Sequence, residues 1–284
     1  MKILKKLVPL TIAALTVLTL TGCEEKEEST KKSTTHEKNP IATMQVEYDN
    51  AQGKTKQGTI KIELYPNDAP ITVANFVNLA QNGFYDGLTF HRIIEDFMIQ
   101  GGDPSGNGSG SAKVSDIDKT VEKDSDDDYA YSIKGEFSNN NIENKIEFEA
   151  GTIAMARSDY SQLGLAEEGY NSGCSQFFIM NTDDSSTCEY LQGNYAAFGK
   201  VTEGYDVVLD ISKTKIQENE QSGEMSSPEK APVIKSLTVD TFGEEYDIPK
   251  LINADETMEK VNQVYMQLLQ QYYGINSDSD SSNE

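Results

Sequence analysis

Side chains that commonly bind zinc or form disulfides are scarce in this chain. Its 284 residues include three cysteines and two histidines, and tryptophan is absent. The histidines, His36 and His91, are too few to predict a zinc site, so we expect no bound metal. Cys174 and Cys188 are the cysteines of the predicted folded part. The sequence leaves open whether they form a disulfide, because that depends on the separation of their Cα atoms.

Positive charge is also scarce. The chain has 24 lysines and arginines against 47 aspartates and glutamates, which gives a net charge of −23. Such a surface repels phosphate backbones and anionic lipid headgroups, so we expect no nucleic-acid partner and no direct binding to a membrane surface. Because acidity also keeps a protein soluble, the excess of carboxylates indicates no acid-specific function by itself.

Long apolar runs are absent except near the N-terminus. The run from Leu7 to Leu20 follows three lysines, and at 14 residues it is too short to span a bilayer but typical of a signal peptide. The next residues, Leu20-Thr-Gly-Cys23, are typical of a bacterial lipobox; the alternative is an ordinary signal peptide with a chance cysteine. We predict a signal peptide over 1–22, a lipidated Cys23 and a flexible tether over 23–40. Two acyl chains on Cys23 would anchor the protein to the cell membrane at its extracytoplasmic face, with no other membrane contact.

Short segments of alternating polarity follow residue 40 and predict a mainly β fold. Ile41 to Tyr48 and Gly58 to Tyr65 flank the turn-forming Asn50-Ala-Gln-Gly53 and predict a hairpin. Pro70 begins a predicted helix that ends at Gly83, and its apolar stripe is expected to cover one open end of a sheet. Further strands are predicted at Thr89 to Ile94, Phe97 to Gln100, Thr152 to Ala156, Gln176 to Asn181, Phe198 to Val201 and Val233 to Val239. Many short strands with few helices indicate a closed antiparallel barrel.

Two regions lie outside this pattern. An insertion at about 104–147 begins with glycines and serines and continues with Asp124, Asp126, Asp127 and Asp128. We expect a solvated loop there, because the glycine and terminal glutamate of an EF-hand are missing. Residues 244–284 form a predicted C-terminal extension, with a helix at about 255–273 and a disordered tail. The apolar stripe of this helix either packs on the barrel or binds another protein, and it comprises Met258, Val261, Tyr265, Leu268 and Tyr272.

The most informative segment runs from Phe90 to Asp103, Phe-His-Arg-Ile-Ile-Glu-Asp-Phe-Met-Ile-Gln-Gly-Gly-Asp. In extended backbone, period-2 alternation places Phe90 and Arg92 on one face, and it likewise pairs Met98 with Gln100. A permanent cation in an otherwise apolar setting is costly unless it has a task. The segment therefore predicts a pocket in which a carbonyl-like group docks.

With three later blocks in the same order, this segment resembles the cyclophilin family of peptidyl-prolyl cis-trans isomerases. The blocks are Gly151-Thr-Ile-Ala-Met-Ala-Arg157, Ser175-Gln-Phe-Phe-Ile179, and Tyr190-Leu-Gln-Gly with Ala197-Phe-Gly-Lys-Val201. The resemblance runs from about Ile41 to Asp240. It implies a closed eight-stranded antiparallel barrel capped by helices, with the isomerase domain at 41–243. With its lipobox, the chain is similar to the lipoprotein rotamase group of streptococci.

The resemblance also implies an active site. Arg92 matches the family's catalytic arginine, and Gln100 matches an amide that orients it and hydrogen-bonds to the substrate. The other positions that match substrate-binding residues are His91, Phe97, Met98, Ala156, Arg157, Gln176, Phe178, Tyr190, Leu191 and Tyr195. Arg157, Tyr190 and Tyr195 stand where many cyclophilins have asparagine, tryptophan and histidine. Because that tryptophan contributes strongly to cyclosporin binding in the family, Tyr190 predicts weak binding of cyclosporin.

Rotation about an X-Pro bond requires no nucleophile, metal or cofactor. It breaks amide resonance, a barrier of about 18 to 20 kcal/mol, so the site must bind the twisted bond more tightly than either planar isomer. A guanidinium directed at the proline nitrogen or carbonyl does this. The role of Arg92 therefore requires a guanidinium that faces the apolar pocket and is not held in a permanent carboxylate clamp.

We predict an isomerase that assists the folding of exported proteins at the outer face of the cell membrane. Its expected partners are unfolded or proline-containing exported proteins, and we expect a monomer. The alternative is a proline-segment binding or adhesion module on a cyclophilin barrel with incidental catalysis. Arg92 favours the enzyme, because binding alone does not need the arginine. A solute-binding lipoprotein is disfavoured, because those chains are two-lobed and usually longer.

Overall fold

A computed structural model describes residues 35–220 and 222–273 of the chain. The predicted signal peptide, Cys23 and most of the predicted tether lie outside these residues. Within them, residues near the end of the predicted tether contact the body: the His36 N–H donates to Asn67 Oδ1 at 3.0 Å, and its ring stacks on Tyr246 at 4.7 Å. None of the helices in residues 35–220 and 222–273 is both long and apolar enough to cross a membrane.

Short strands alternate with short helices along the chain. The strands are β1 Ile41–Asp49, β2 Thr55–Leu64, β3 Thr89–Ile94, β4 Met98–Asp103, β5 Tyr131–Ser132, β6 Thr152–Met155, β7 Phe177–Met180, β8 Ala197–Glu203, β9 Ile216–Glu218, β10 Met225–Pro228, β11 Val233–Asp240 and β12 Ile252–Asn253. The helices are α1 Pro70–Gln81, α2 Val114–Ile117, α3 Ala166–Tyr170, α4 Ser185–Leu191, α5 Tyr205–Ile211 and α6 Ala254–Tyr273, with 3-10 turns at Ser138–Asn140 and Ser161–Leu163.

Eight of the strands close into an antiparallel barrel in the order β1-β11-β3-β4-β7-β6-β8-β2. This confirms the predicted fold class. The remaining strands form two small sheets, β9 with β10 and β5 with β12. Because a closed barrel leaves alternate side chains inside and outside, its interior fills with apolar residues such as Met44, Ile60 and Phe198, all fully buried.

Helix α1 covers one end of the barrel, as its stripe predicts. Phe76 is fully buried, with ring centroids 5.0 Å from Tyr85 and 5.2 Å from Phe198. The N-terminus of α1 is held by Glu136, a buried carboxylate from the insertion. It accepts hydrogen bonds from the N–H groups of Ile71 and Thr72 at 2.9 and 2.8 Å. A carboxylate is stabilising at this end of a helix.

The insertion is more ordered than the predicted solvated loop. Asp128 is buried and accepts hydrogen bonds from the N–H groups of Ser115 and Asp124, at 2.9 and 2.8 Å. The expectation is therefore wrong for Asp128, because this carboxylate satisfies backbone donors inside the insertion. Elsewhere, Cys174 and Cys188 are free thiols, and Cys174 is buried.

The C-terminal helix α6 is present, and it packs on the body through only part of the predicted stripe. Val261 is buried, whereas Met258, Tyr265 and Tyr272 are exposed. The pairing of β12 with β5 fixes the start of α6, and Lys260 forms an ion pair with Glu168. The helix therefore combines packing and exposure: the side with Val261 packs on the body, and Met258, Tyr265 and Tyr272 are exposed to solvent.

Candidate active site

The outer face of strands β4, β6 and β7 forms an apolar hollow. Ile99, Phe177 and Ile179 point into the barrel, and their neighbours point the opposite way because side chains alternate along a strand. The buried residues of the hollow are Met98, Phe148, Ala154, Phe178, Met180, Leu191 and Ala197, with Phe97 and Tyr195 half-buried against them. Six predicted substrate-binding residues are therefore brought together at one place: Phe97, Met98, Ala156, Phe178, Leu191 and Tyr195.

Tyr195 closes one side of this hollow. Its ring stands edge-on to Phe178 with the centroids 5.6 Å apart and the planes at 86°. Tyr190 lies on α4 but is 62% exposed, so it is not part of the buried floor. The structure therefore places Tyr195 in the hollow and leaves Tyr190 at its outside.

Arg92 reaches this outer face because strand β3 is irregular. The register between β3 and β4 shifts between Phe90 and Arg92, where a regular ladder would place both on one side. Phe90 is fully buried in the barrel core, whereas Arg92 is half-buried with its guanidinium carbon 6.0 Å from the Phe97 ring centroid. The prediction that Phe90 and Arg92 share a face is therefore wrong, and the irregularity is what separates them.

Amide side chains link the arginine to a glycine-rich loop. Arg92 Nη1 donates to Gln100 Oε1 at 3.4 Å, and Gln100 Nε2 donates to Gln176 Oε1 at 2.9 Å. Gln176 Nε2 donates in turn to the carbonyl oxygens of Gly108 and Gly110, at 3.0 and 2.8 Å. Gln100 and Gln176 therefore form one connected chain of hydrogen bonds that ends on Arg92.

The other edge of the guanidinium is paired with Glu224. Arg92 Nε donates to Glu224 Oε2 at 2.6 Å and Nη2 donates to Oε1 at 2.9 Å, a bidentate pair. The hydrogen bonds from Arg92 lower the pKa of the Glu224 carboxyl. From the sequence, we expect no carboxylate to hold the Arg92 guanidinium. That expectation is wrong for the edge formed by Nε and Nη2, which Glu224 holds. The pair is not sealed from solvent, since the two side chains are 31% and 38% exposed.

Sequence reasoning missed Glu224. It lies in the connection between β9 and β10, 132 residues from Arg92, and it is one acidic residue among 47. Nothing in its local sequence distinguishes it from the others. The remaining members of the hollow, Ala154 and Met180, could have been found by continuing the alternation along β6 and β7.

The Nη1 group faces the hollow. Besides Gln100, its contact is with Met98 Sδ at 3.7 Å. The bond to Gln100, at 3.4 Å, is longer than the usual ~2.9 to 3.0 Å of an N–H···O bond, and a thioether sulfur is a weak acceptor. A carbonyl oxygen in the hollow can replace such weak contacts. The Arg92 guanidinium thus lies beside an apolar floor. Glu224 fixes its Nε and Nη2 edge, and a substrate carbonyl can bind the N–H groups of Nη1.

Arg157 and Ala156 follow β6 and border the hollow. The Arg157 guanidinium lies 4.7 Å from the Tyr195 ring centroid and donates from Nε to the Asn194 carbonyl at 2.8 Å. Ala156 N–H donates to the Gln176 carbonyl at 2.9 Å. Arg157 therefore contacts Tyr195, and Ala156 is hydrogen-bonded to Gln176, which are two further residues predicted for the site.

His91 is buried on strand β3, next to Arg92 in the sequence. Burial lowers the pKa of its imidazole, although the Asp103 carboxylate acts in the opposite direction. Its Nδ1 has no hydrogen-bond partner among the described residues. At pH 7 the imidazole is therefore neutral, which suits a packing or orienting group better than a charged one.

Comparison with known proteins agrees with this geometry. Residues 44–239 match the family model of the cyclophilin type peptidyl-prolyl cis-trans isomerase/CLD. Curated relatives include putative peptidyl-prolyl cis-trans isomerases of Staphylococcus aureus (strain COL) and Staphylococcus haemolyticus (strain JCSC1435). Each is 31% identical over 210 residues, covering 66% of this chain and 89% and 88% of the relative.

Among solved structures, a crystal structure of a Cryptosporidium parvum cyclophilin type peptidyl-prolyl cis-trans isomerase in the presence of the dipeptide Ala-Pro aligns at 22% identity. The alignment covers 69% of this chain and 98% of that one, with a TM-score of 0.48. The family match alone extends over more than half of the sequence and includes the closed barrel and both edges of the hollow. The chain therefore belongs to the cyclophilin-type peptidyl-prolyl cis-trans isomerases.

Proposed function

We propose that this isomerase acts on exported polypeptides at the outer face of the cell membrane, and that Arg92 is its catalytic residue with Gln100 beside it. The observation that supports this role is the orientation of the guanidinium. Its Nη1 group lies against Met98 and Gln100 at the hollow, while Glu224 holds the opposite edge. A proline ring on the apolar floor would bring the adjoining peptide bond to this group.

The barrier to rotation determines what these residues must do. About 18 to 20 kcal/mol of resonance energy opposes the twist, and the twisted bond has a nitrogen lone pair that the planar bond lacks. Donors placed in advance at that position stabilise the twisted state without reorganising during the reaction. In this proposal Arg92 donates a hydrogen bond to the twisted peptide bond, and Gln100 orients the guanidinium by accepting from Nη1. The proline ring packs against Phe97, Met98, Phe178 and Leu191.

Glu224 acts as a positioning residue in this scheme. A long arginine side chain loses rotamer freedom when it is fixed, and a bidentate pair restricts it in two directions at once. Because Glu224 uses Nε and one N–H of Nη2, the Nη1 pair stays available to the substrate. Both partners of the pair are partly exposed, so its own contribution to folding is small.

Replacement of Arg92 tests the catalytic assignment. We expect Arg92→Ala to lower kcat/KM for an Ala-Pro peptide at least tenfold, about 1.4 kcal/mol of transition-state stabilisation, measured by NMR exchange. Lys61→Ala is the matched control, because Lys61 pairs with Glu203 at 2.8 Å on strand β2 and its loss removes one exposed ion pair. Equal rates for wild type and Arg92→Ala would reject the catalytic role and favour a proline-segment binding or adhesion module.

Replacement of Cys23 tests the location. Wild-type protein is expected in the membrane fraction and accessible to protease added outside intact cells. Cys23→Ser is expected in the medium or the soluble extracytoplasmic fraction, because without acyl chains and without Lys2, Lys5 and Lys6 the released chain has 21 lysines and arginines against 47 carboxylates, a net charge of −26, and little attraction to anionic lipid. Membrane retention of Cys23→Ser would contradict anchoring through this cysteine.

The folding role is tested on a protein whose refolding is limited by a prolyl bond. The isomerase is expected to accelerate that slow phase at catalytic concentrations, because uncatalysed isomerisation takes tens to hundreds of seconds. Arg92→Ala should not accelerate it. Acceleration of a slow phase that contains no prolyl step would indicate a holdase effect instead.

A further inference from the structure

The C-terminal extension forms a wall of a cavity next to the active site. The cavity has a volume of about 240 Å³ and is lined on one side by Gln100, Gln176 and Ala156 of the site. On the opposite side it is lined by Ala254, Thr257 and Met258 from the first turns of α6. The family match ends at residue 239, so this wall comes from a part of the chain outside the matched region.

The position of this wall is fixed by several contacts. The strand β12 pairs with β5 through Ile252 opposite Ser132 and Asn253 opposite Tyr131, immediately before α6 begins. One turn beyond Met258, Val261 is buried against the body. The start of α6 is thus held by backbone pairing on one side and apolar packing on the other, which keeps Thr257 and Met258 at the cavity.

The lining of the cavity is uncharged except at one edge. Although the chain has 47 aspartates and glutamates, none of those within residues 35–220 and 222–273 lines the cavity, and Arg157 is the one charged residue among the described residues that line it. The remaining lining is glycine, alanine, hydroxyl, amide, thiol and thioether groups, and Met258 is 45% exposed. Methionine adapts its shape to different apolar partners. Such a surface suits uncharged side chains, while the negative charge of the whole protein disfavours acidic ones.

The size of the cavity limits what can enter. Its volume of about 240 Å³ is below the roughly 300 to 1,000 Å³ typical of pockets for drug-sized ligands, and it is large enough for one side chain. Each residue of an extended peptide advances about 3.3 to 3.6 Å. Because Gln100 and Gln176 belong to both the site and the cavity, a side chain within about two residues of the prolyl bond can reach it.

We infer that the C-terminal extension is part of the substrate-binding surface, with Met258 as a specificity-determining residue for an uncharged side chain that flanks the prolyl bond. This rests on the proposed placement of the prolyl bond at Arg92. The occupant is the substrate polypeptide itself. The extension therefore selects among prolyl sites and leaves the twist of the bond to Arg92 and the hollow.

Peptide selectivity tests the inference. Two series, X-Ala-Pro-Phe and Ala-Ala-Pro-X with X as Gly, Met, Asp or Lys, are assayed by NMR exchange with the full mature chain. Wild type is expected to prefer Met to Asp about tenfold in kcat/KM in at least one series. Met258→Lys should raise the rate for Asp peptides at least threefold and lower it for Met peptides, and Met258→Asp should lower the rate for Asp peptides further.

Met266 provides the matched control. It is a methionine on the same helix, 50% exposed, and it does not line the cavity. Met266→Lys should leave the Met-to-Asp preference at the wild-type value in both series. An equal shift for the two lysine variants would show a general effect of surface charge and overturn the inference, as would an unchanged preference in Met258→Lys.

The glycine peptides separate this inference from the proposed function. Met266→Lys should isomerise them at the wild-type rate, because Met266 does not line the cavity and glycine places no side chain in it. If Arg92→Ala also isomerises them at the wild-type rate, the catalytic assignment fails. If Arg92→Ala is slow and the Met258 variants show no change in selectivity, the inference about α6 alone fails.

Discussion

Two neighbouring phenylalanines on β7 belong to two different environments. Phe177 lies inside the barrel, fully buried, with its ring 5.8 Å from Phe76 and 5.7 Å from Tyr85. Phe178 lies on the outer face, 4% exposed, against Tyr195. The interior around Phe177 is filled by aromatic and aliphatic side chains, whereas the hollow has an apolar floor and a border of arginine and amide groups.

The comparison shows that one short strand serves both the core and the site. Because alternate side chains leave opposite faces, a single residue step moves an aromatic ring from the barrel core to the face where we propose that substrate binds. Stability and activity are therefore expected to respond separately to substitutions at adjacent positions. The following predictions test that separation, beginning with the largest effect.

Phe177→Ala should mainly reduce stability. Removal of a fully buried ring leaves a cavity in the barrel and is expected to lower the free energy of unfolding by about 3 to 5 kcal/mol. Denaturant titration measures the loss. The folded fraction should keep its kcat/KM within about threefold, a change of about 0.7 kcal/mol in transition-state stabilisation. A small loss of stability with a large loss of activity would reverse the roles assigned to the two faces.

Phe178→Ala should mainly reduce activity. The ring is part of the proposed seat for proline, so we expect at least a tenfold fall in kcat/KM, about 1.4 kcal/mol or more. Its loss of stability should be smaller than that of Phe177→Ala, because Phe178 packs in the smaller apolar cluster, against the half-buried Phe97 and Tyr195, and not in the barrel interior. Titration and NMR exchange on the same two variants measure both quantities. Equal losses of kcat/KM in Phe177→Ala and Phe178→Ala would contradict the separation of a structural face from a substrate-binding face on β7.

Glu224→Gln should have a smaller effect on activity. Glutamine keeps the shape but not the charge, and we expect kcat to fall about fivefold, close to 1 kcal/mol, with KM little changed. In the Arg92→Ala background the same substitution should have no further effect, because the two residues act as a unit. Glu218→Gln, an exposed glutamate on the same hairpin, is the control. A rise in kcat for Glu224→Gln would show that the pair inhibits the site.

His91 should give the smallest effect, seen as a dependence of stability on pH. Burial holds the pKa of folded His91 below the unfolded value of about 6.5, so the unfolded chain takes up a proton first as the pH falls. Stability should therefore decrease between pH 7 and pH 6, by under about 1 kcal/mol from this group. His91→Gln should remove that component in parallel denaturant titrations. An identical pH dependence in His91→Gln would contradict a buried neutral imidazole.

The regular parts of the fold could be predicted because they depend on local patterns. The alternation in β1 and β2, and the stripe of α1 after Pro70, each identify a face before any partner is known. The four ordered motifs then place Met98, Gln100 and Phe178 near one another. These predictions needed only the period of the pattern and the family resemblance.

The remaining features depend on contacts between distant parts of the chain. The shift in register at Phe90 and Arg92 comes from pairing with β4, and the Glu224 pair joins residues 132 positions apart. The docked face of α6 is centred on Val261, although Met258 and Tyr265 are the larger apolar side chains. Tertiary contacts decide such choices, and propensity and periodicity do not contain them.

The two thiols of the folded part have a consequence for the proposed work of this protein on unfolded chains. Burial raises the pKa of Cys174 to about 11, and burial together with nearby aspartates raises the pKa of Cys188. Since thiolates and not thiols attack disulfides, both side chains are poor nucleophiles at neutral pH. Partly oxidised polypeptides could therefore pass the barrel repeatedly without becoming trapped on it as mixed disulfides.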